Sequence, residues 1–138
     1  LKSIRDYQLH TSSKGGWNKI YSKFCVLRHK FWSVVSGVDI PLSNLGGEAL
    51  IPHPNGIVIY PSSIVGGKCL IHQQVTIGVK RGDETPPSIG RNVGIGAGAK
   101  IFDPMRIGDN VLVGANAVVV KDVESGFIVG CITAKAIG

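Results

Sequence analysis

The chain has 138 residues, 15 Lys and Arg against 9 Asp and Glu, a net charge of +6, 19 Gly and 3 Cys. That length predicts one domain with a buried core, and the 43% hydrophobic content excludes a disordered chain. The excess of base permits an anionic ligand or partner without choosing among nucleotide, nucleic acid and lipid.

Residues 1–16 show no clear pattern, with Ser12, Ser13, Gly15 and Gly16 as breakers. From Trp17 to about Ser36, the side chains Ile20, Phe24, Leu27, Phe31 and Val35 recur at helical spacing. The other face carries Lys19, Lys23, Arg28 and Lys30. This helix is expected to cap one end of the remaining chain or to meet another subunit; lying on a membrane is the alternative. It divides the chain into a helical lead, 1–37, and a second region, 38–138.

Counting in sixes from Ile59 reaches Val65, Ile71, Ile77, Ile89, Ile95, Ile101, Ile107, Val113 and Val119, with Asp83 as the one exception. Gly follows at positions 66, 78, 90, 96, 108 and 114. Two places before each step sits a mostly small residue, among them Ser63, Cys69, Val75, Ala99 and Ala117. A period of six fits neither a helix nor one long alternating strand. It fits short strands that each end in a turn, with the β-branched residue inward and the small one near a corner. Such coils stack, each burying its neighbour's face, so the fold class is an all-β solenoid.

A carboxylate at Asp83 cannot take an inward slot in a dry core. The surrounding Lys80-Arg81-Gly82-Asp83-Glu84-Thr85-Pro86-Pro87 is rich in charge and turn residues, so 79–88 is expected to leave the coil as a loop and rejoin at Ile89. At the far end, Phe127 to Ile132 and Lys135 are expected to close the solenoid.

Of the four histidines, His53 and His72 fall in the coil region. His53 lies six before Ile59, which on a strict repeat makes it a core residue, yet Pro52 and Pro54 flank it. By spacing it is either a buried, hydrogen-bonded imidazole or a functional one. His72 follows the inward Ile71 and should point outward, either as a solvated surface residue or as part of a site with His53.

These blocks resemble the hexapeptide-repeat acyltransferases, in particular the serine acetyltransferase branch. The likeness spans Val38 to Gly138. It rests on Asp39-Ile40-Pro41, His53-Pro54-Asn55-Gly56-Ile57-Val58-Ile59, Gln73-Gln74-Val75-Thr76-Ile77-Gly78, Gly94 to Ile101 and Val113 to Val123. The resemblance implies a left-handed parallel β-helix, usually trimeric, that moves acetyl from acetyl-CoA to a hydroxyl. It implies His53 as the general base, whose neutral imidazole suits proton acceptance. It places the acetyl-CoA co-substrate, by matching positions, at Gly78, Ala97, Gly98, Ala115, Val120 and Lys121, with Lys135 near the nucleotide phosphates. His72 and Asn55 are the substrate-side candidates. The plain alternative is that these glycines and alanines are only corner residues.

The chain also departs from the family. Pro52 stands where serine acetyltransferases have an Asp before the base, no His follows His72, and Tyr60-Pro61 replaces a nearby Glu. Cys131 and Thr133 replace a Gly and a Pro near the end. A sugar or polysaccharide-precursor hydroxyl is therefore the expected acceptor, with serine O-acetyltransferase of cysteine biosynthesis as the alternative and a non-catalytic scaffold as the third reading. Two coil histidines are too few for a three-His metal site, and three scattered cysteines speak against disulfides or structural zinc. No bilayer-spanning run, secretory leader or nucleic-acid partner is expected, and a cytoplasmic location is.

Overall fold

The computed structural model describes Asp6 and residues 16–41, 45–80, 82, 84–102, 104–130 and 135–136. The expectations for the segment before Gly16, for Asp83 and for the side chains of Cys131, Thr133 and Lys135 lie outside the described residues.

The period of six becomes structure as a series of very short strands. They are β1 (Val58–Ile59), β2 (Ile64–Val65), β3 (Leu70–Ile71), β4 (Thr76–Gly78), β5 (Ser88–Ile89) and β6 (Gly94–Ile95). The series continues with β7 (Lys100–Phe102), β8 (Arg106–Ile107), β9 (Leu112–Val113), β10 (Val118–Val119), β11 (Ile128–Gly130) and β12 (Lys135–Ala136). Up to β10 every third strand joins the same parallel sheet. Sheet I runs β1-β4-β7-β10, sheet II β2-β5-β8, and sheet III β3-β6-β9-β11, with β12 added antiparallel to β11. Strand β11 follows β9 in sheet III because sheet II continues past β8 only as the Ile107–Val123 bridge. The chain therefore visits three sheets in turn, coil upon coil, and backbone amides bond from one coil to the next. Examples are Leu70 N to Val93 O at 2.9 Å, Gly94 N to Val111 O at 2.9 Å and Leu112 N to Phe127 O at 3.0 Å.

The inward residue of each strand fills the axis. Ile59, Val65, Ile71, Ile77, Ile89, Ile95, Ile101, Ile107, Val113 and Val119 are all buried, and so are the small corner residues Ser63, Cys69, Val75, Val93, Ala99 and Ala117. Two of the three corners turn through the left-handed region. Corner III–I does so at Gly56, Gln74, Gly98 and Asn116, and corner II–III at Lys68, Asn92, Asn110 and Gly126. Asn tolerates that conformation, and Asn92 Nδ2 donates to Asn110 Oδ1 at 2.8 Å down the stack. Corner I–II carries Pro61, Pro87 and Pro104 instead.

Helix α1 spans Gly16–Ser36, one residue longer than the spacing predicts. Gly37 (φ 60°) ends it, with Val38 N bonded to Ser33 O at 2.9 Å and Gly37 N reaching Val34 O at 3.4 Å, the double closure of a Schellman cap. The spacing predicts an apolar row that caps the coil or meets another subunit; in the single chain this row does not lie on the coil, since Ile20, Phe24, Leu27, Phe31 and Val35 are 57–67% exposed. Cys25 is fully buried but is not part of the core of the coil, and the helix is tied to the residues that follow it by His29 Nε2 donating to Ile40 O at 2.9 Å and Gly56 N donating to Ser36 O at 3.4 Å. The cap and these hydrogen bonds set the rotation of the helix, because Val38, Ile40, Leu45 and Ile51 already fill the end of the core.

Ser63 is 0% exposed, and its Oγ has no hydrogen-bond partner. A buried hydroxyl without a partner costs stability. Ser63→Ala is therefore expected to raise the unfolding free energy by about 1 kcal/mol in urea titration, with no change in far-UV circular dichroism.

Candidate active site

The corner that carries His53 is longer than its neighbours. Leu50 pairs with Leu70 and Val58 with Thr76, so eight residue steps in the first coil lie over six in the second. The buried slots make the same point: Ile51 and Ile57 stand six apart, whereas Ile71 and Val75 stand four apart. Two residues are surplus to the coil, and they fall within Pro52-His53-Pro54. Neither proline can donate to the ladder, which favours a bulge at this place. Asn55 N closes it by bonding His53 O at 2.9 Å, and Gln74 N bonds Asn55 O at 2.8 Å to resume the stack. The strict count that made His53 a core residue is thus overturned. Ile51 and Ile57 take the core slots, and the imidazole is exposed.

Corner III–I brings several of the named residues to one edge of sheet I. His72 lies one coil on, half-buried, with its amide bonded to Ile95 O at 3.0 Å. Ala97, Gly98 and Ala115 follow in the third and fourth coils. Gly98 has a positive φ (73°), as Gln74 and Asn116 do in the same column, and a Cβ there would press on the Asn116 side-chain amide, so turn geometry favours glycine here whatever binds beside it. Gly78, Val120 and Lys121 belong to the opposite edge, corner I–II. The two edges are separated by the width of sheet I, roughly 15 Å for four to five extended residues. A single chain therefore does not bring all the named positions together.

Two features shape the second edge. Ile77 and Ile89 are twelve residues apart where Ile101 and Ile107 are six apart, so the chain leaves the regular coil after Gly78 at corner I–II and is back in register in β5. At Gly78 a Cβ would meet the Phe102 ring at 3.2 and 3.3 Å, so the missing side chain is a notch into which the ring leans. Lys121 and Val120 are exposed and, with Val119, Asp122, Glu124 and Phe127 among others, line a cavity of about 380 Å³ at the last coil. Lys135 enters only through its backbone, paired with Gly130.

Sequence reading missed Lys100. Its Nζ donates to Gln74 O at 2.8 Å and to Thr76 Oγ1 at 3.0 Å, which pins the cation on the outer face of sheet I between the two edges. The available signal was its outward register beside Thr76. Cys69 is no rival nucleophile: its Sγ lies 3.2 Å from Gly90 O, and burial pushes the thiol pKa up, away from the reactive thiolate. Among the described residues no group of three His, Cys, Asp or Glu is placed to hold a metal ion.

Comparison with known proteins agrees with this architecture. A family model described as the hexapeptide repeat of succinyl-transferase matches residues 86–121 and 104–131. The serine acetyltransferase of Mycobacterium tuberculosis is 38% identical over 112 residues, which is 79% of this chain and 49% of that protein. Among solved structures, the serine acetyltransferase of Brucella abortus in complex with coenzyme A superposes with a TM-score of 0.80 at 26% identity, covering 99% of this chain and 54% of that one. The serine acetyltransferase of Neisseria gonorrhoeae in complex with serine gives 0.75 at 31% identity, with 99% and 54% covered. The chain spans about half the length of the curated relatives it matches. It is a serine acetyltransferase-like chain of the hexapeptide-repeat acyltransferases.

If the bulge is surplus to the coil, deleting His53 and Pro54 restores the six-residue corner. The shortened chain is expected to keep its circular dichroism spectrum and its unfolding free energy to within about 1 kcal/mol, well below the cost of removing a core residue.

Proposed function

We propose that this chain performs acetyl transfer from acetyl-CoA to the hydroxyl of serine, with His53 as the general base. The observation that carries the reading is the two-residue insertion that lifts this imidazole off the coil into solvent. His53 takes the hydroxyl proton as the oxygen attacks the thioester carbonyl. The tetrahedral adduct collapses with cleavage of the carbon–sulfur bond, and the imidazolium returns its proton to the departing thiolate. Transfer is direct, within a ternary complex. Backbone amides near Gly78 stabilise the oxyanion.

In this reading the three sheets wind as a left-handed parallel β-helix, and three copies associate in the cytoplasm. Association supplies what one chain lacks: the His53 edge of one copy faces the Gly78, Val120 and Lys121 edge of its neighbour, and acetyl-CoA lies in the crevice between them. Ala97, Gly98 and Ala115 allow the pantetheine arm close approach on the first edge, Lys121 and Lys135 meet its phosphates, and His72 and Asn55 flank the acceptor. The complexes of relatives with coenzyme A and with serine support this donor and acceptor. They favour serine over the sugar hydroxyl expected from Pro52 and the changed loop.

The test is His53→Ala assayed with acetyl-CoA and either L-serine or a panel of sugars. The variant is expected to lose on the order of a hundredfold or more in kcat while still binding CoA in calorimetry. Retained turnover would remove His53 as the base, turnover confined to sugars would restore the sugar acceptor, and failure of the unaltered chain to bind CoA would leave the scaffold reading.

A further inference from the structure

We infer that Lys100 is a positioning residue for the proposed base: its ammonium, bonded to Gln74 O and Thr76 Oγ1, holds the turn on which the His53 bulge stands. The inference rests on His53 being that base, and Lys100 acts through the backbone rather than on the reacting atoms. Three hydrogen bonds in a row make the link. Lys100 Nζ donates to Gln74 O at 2.8 Å, Gln74 N donates to Asn55 O at 2.8 Å, and Asn55 N donates to His53 O at 2.9 Å. Gly56 rests on the same turn, since a Cβ added there would meet Gln74 Cγ at 3.4 Å. The C-terminal end of the bulge is therefore seated on Gln74.

Gln74 is the member of its column least suited to that seat. It turns at φ 59°, where Gly56 and Gly98 are glycine and Asn116 is the one other residue type that tolerates left-handed backbone well. The Cβ of a glutamine disfavours this conformation, and fixing its carbonyl from outside offsets that cost. The support is also particular to this coil. The outward column of sheet I reads Val58, Thr76, Lys100 and Val118. Val118 lies one coil beyond the Gly98 turn as Lys100 lies one coil beyond Gln74, and valine has no donor to offer. Ion pairing does not explain Lys100 either: among the described residues, the salt bridges join Arg28 to Asp6 and Lys68 to Glu48. A lysine on a β face ordinarily leaves its ammonium in water and its stem mobile. Here two neutral oxygens, both beneath the His53 bulge, hold it in place.

Lys100→Met in the full chain tests the inference, because it keeps the stem and removes the donors. With circular dichroism unchanged, amide exchange followed by NMR is expected to quicken about tenfold at Asn55 and Gln74, and to stay within about twofold at Asn110 on another corner. The kcat is expected to fall roughly tenfold while KM for acetyl-CoA and for serine stays within about twofold, since binding survives and the base is misplaced. In the His53→Ala background the same replacement should cost less than about twofold, because Lys100 then has no base to position. Unchanged exchange at Asn55 and Gln74, an unchanged kcat, or an equal fall without His53 each overturns the inference. Full turnover by His53→Ala, or none by the unaltered chain, removes the base and the inference with it. A normal rate for Lys100→Met beside a crippled His53→Ala removes the inference alone.

Discussion

Stacking in register governs this structure. Each coil hydrogen-bonds to the next through parallel ladders, so a residue on one coil has its counterpart directly below it, about 4.8 Å away. Nothing can be altered in one coil alone. The left-handed turns must pile up as columns, as at Gly56, Gln74, Gly98 and Asn116, because a turn in another conformation would break the amide pattern above and below. A polar residue can enter the axis only at a cost, and the one buried polar residue among those described, Ser63, leaves its hydroxyl without a partner. The rigidity of the prism comes from this repetition rather than from any single strong contact.

Under such a constraint, extra residues have one place to go. They must leave at a corner and return in register, or every side chain beyond them would change face. The chain does this twice, with two surplus residues at His53 and six between Ile77 and Ile89. The regular coil positions are explained by packing and turn geometry, Gly98 among them. The insertions are not. Their residues project from a scaffold that fixes their base points, which is the arrangement a site with well-defined geometry requires.

The sequence carries the scaffold openly because the rule that builds it is periodic. The inward Ile and Val column, the small corner residues and the rejoining of the loop at Ile89 are all legible by counting. Counting fails where the period is interrupted without a charge to mark it. Asp83 announces its excursion, whereas at Pro52-His53-Pro54 only the two prolines hint at one, since the segment carries no acid and His53 keeps an apparent six-residue relation to Ile59. The helix misleads in another way. Its spacing identifies the helix, but spacing says which residues share a face and not which face docks. The Schellman turn at Gly37 and the His29–Ile40 hydrogen bond decide that. Lys100 is hidden because its role depends on reaching the carbonyl of Gln74, a residue 26 positions away.

A three-sided coil has flat faces and convex edges, and the cavity described at the last coil is not at His53. The imidazole on corner III–I and the notch at Gly78 on corner I–II bound the same sheet but face away from each other across it. Bending the sheet to join them would break ladders in every coil, because each ladder holds the next. Among the described residues no second edge stands beside His53, and the outer face of sheet I is flat, with Lys100 bonded to Gln74 O and Thr76 Oγ1. In the proposed reading, with His53 as the base, a second copy of the chain supplies that edge.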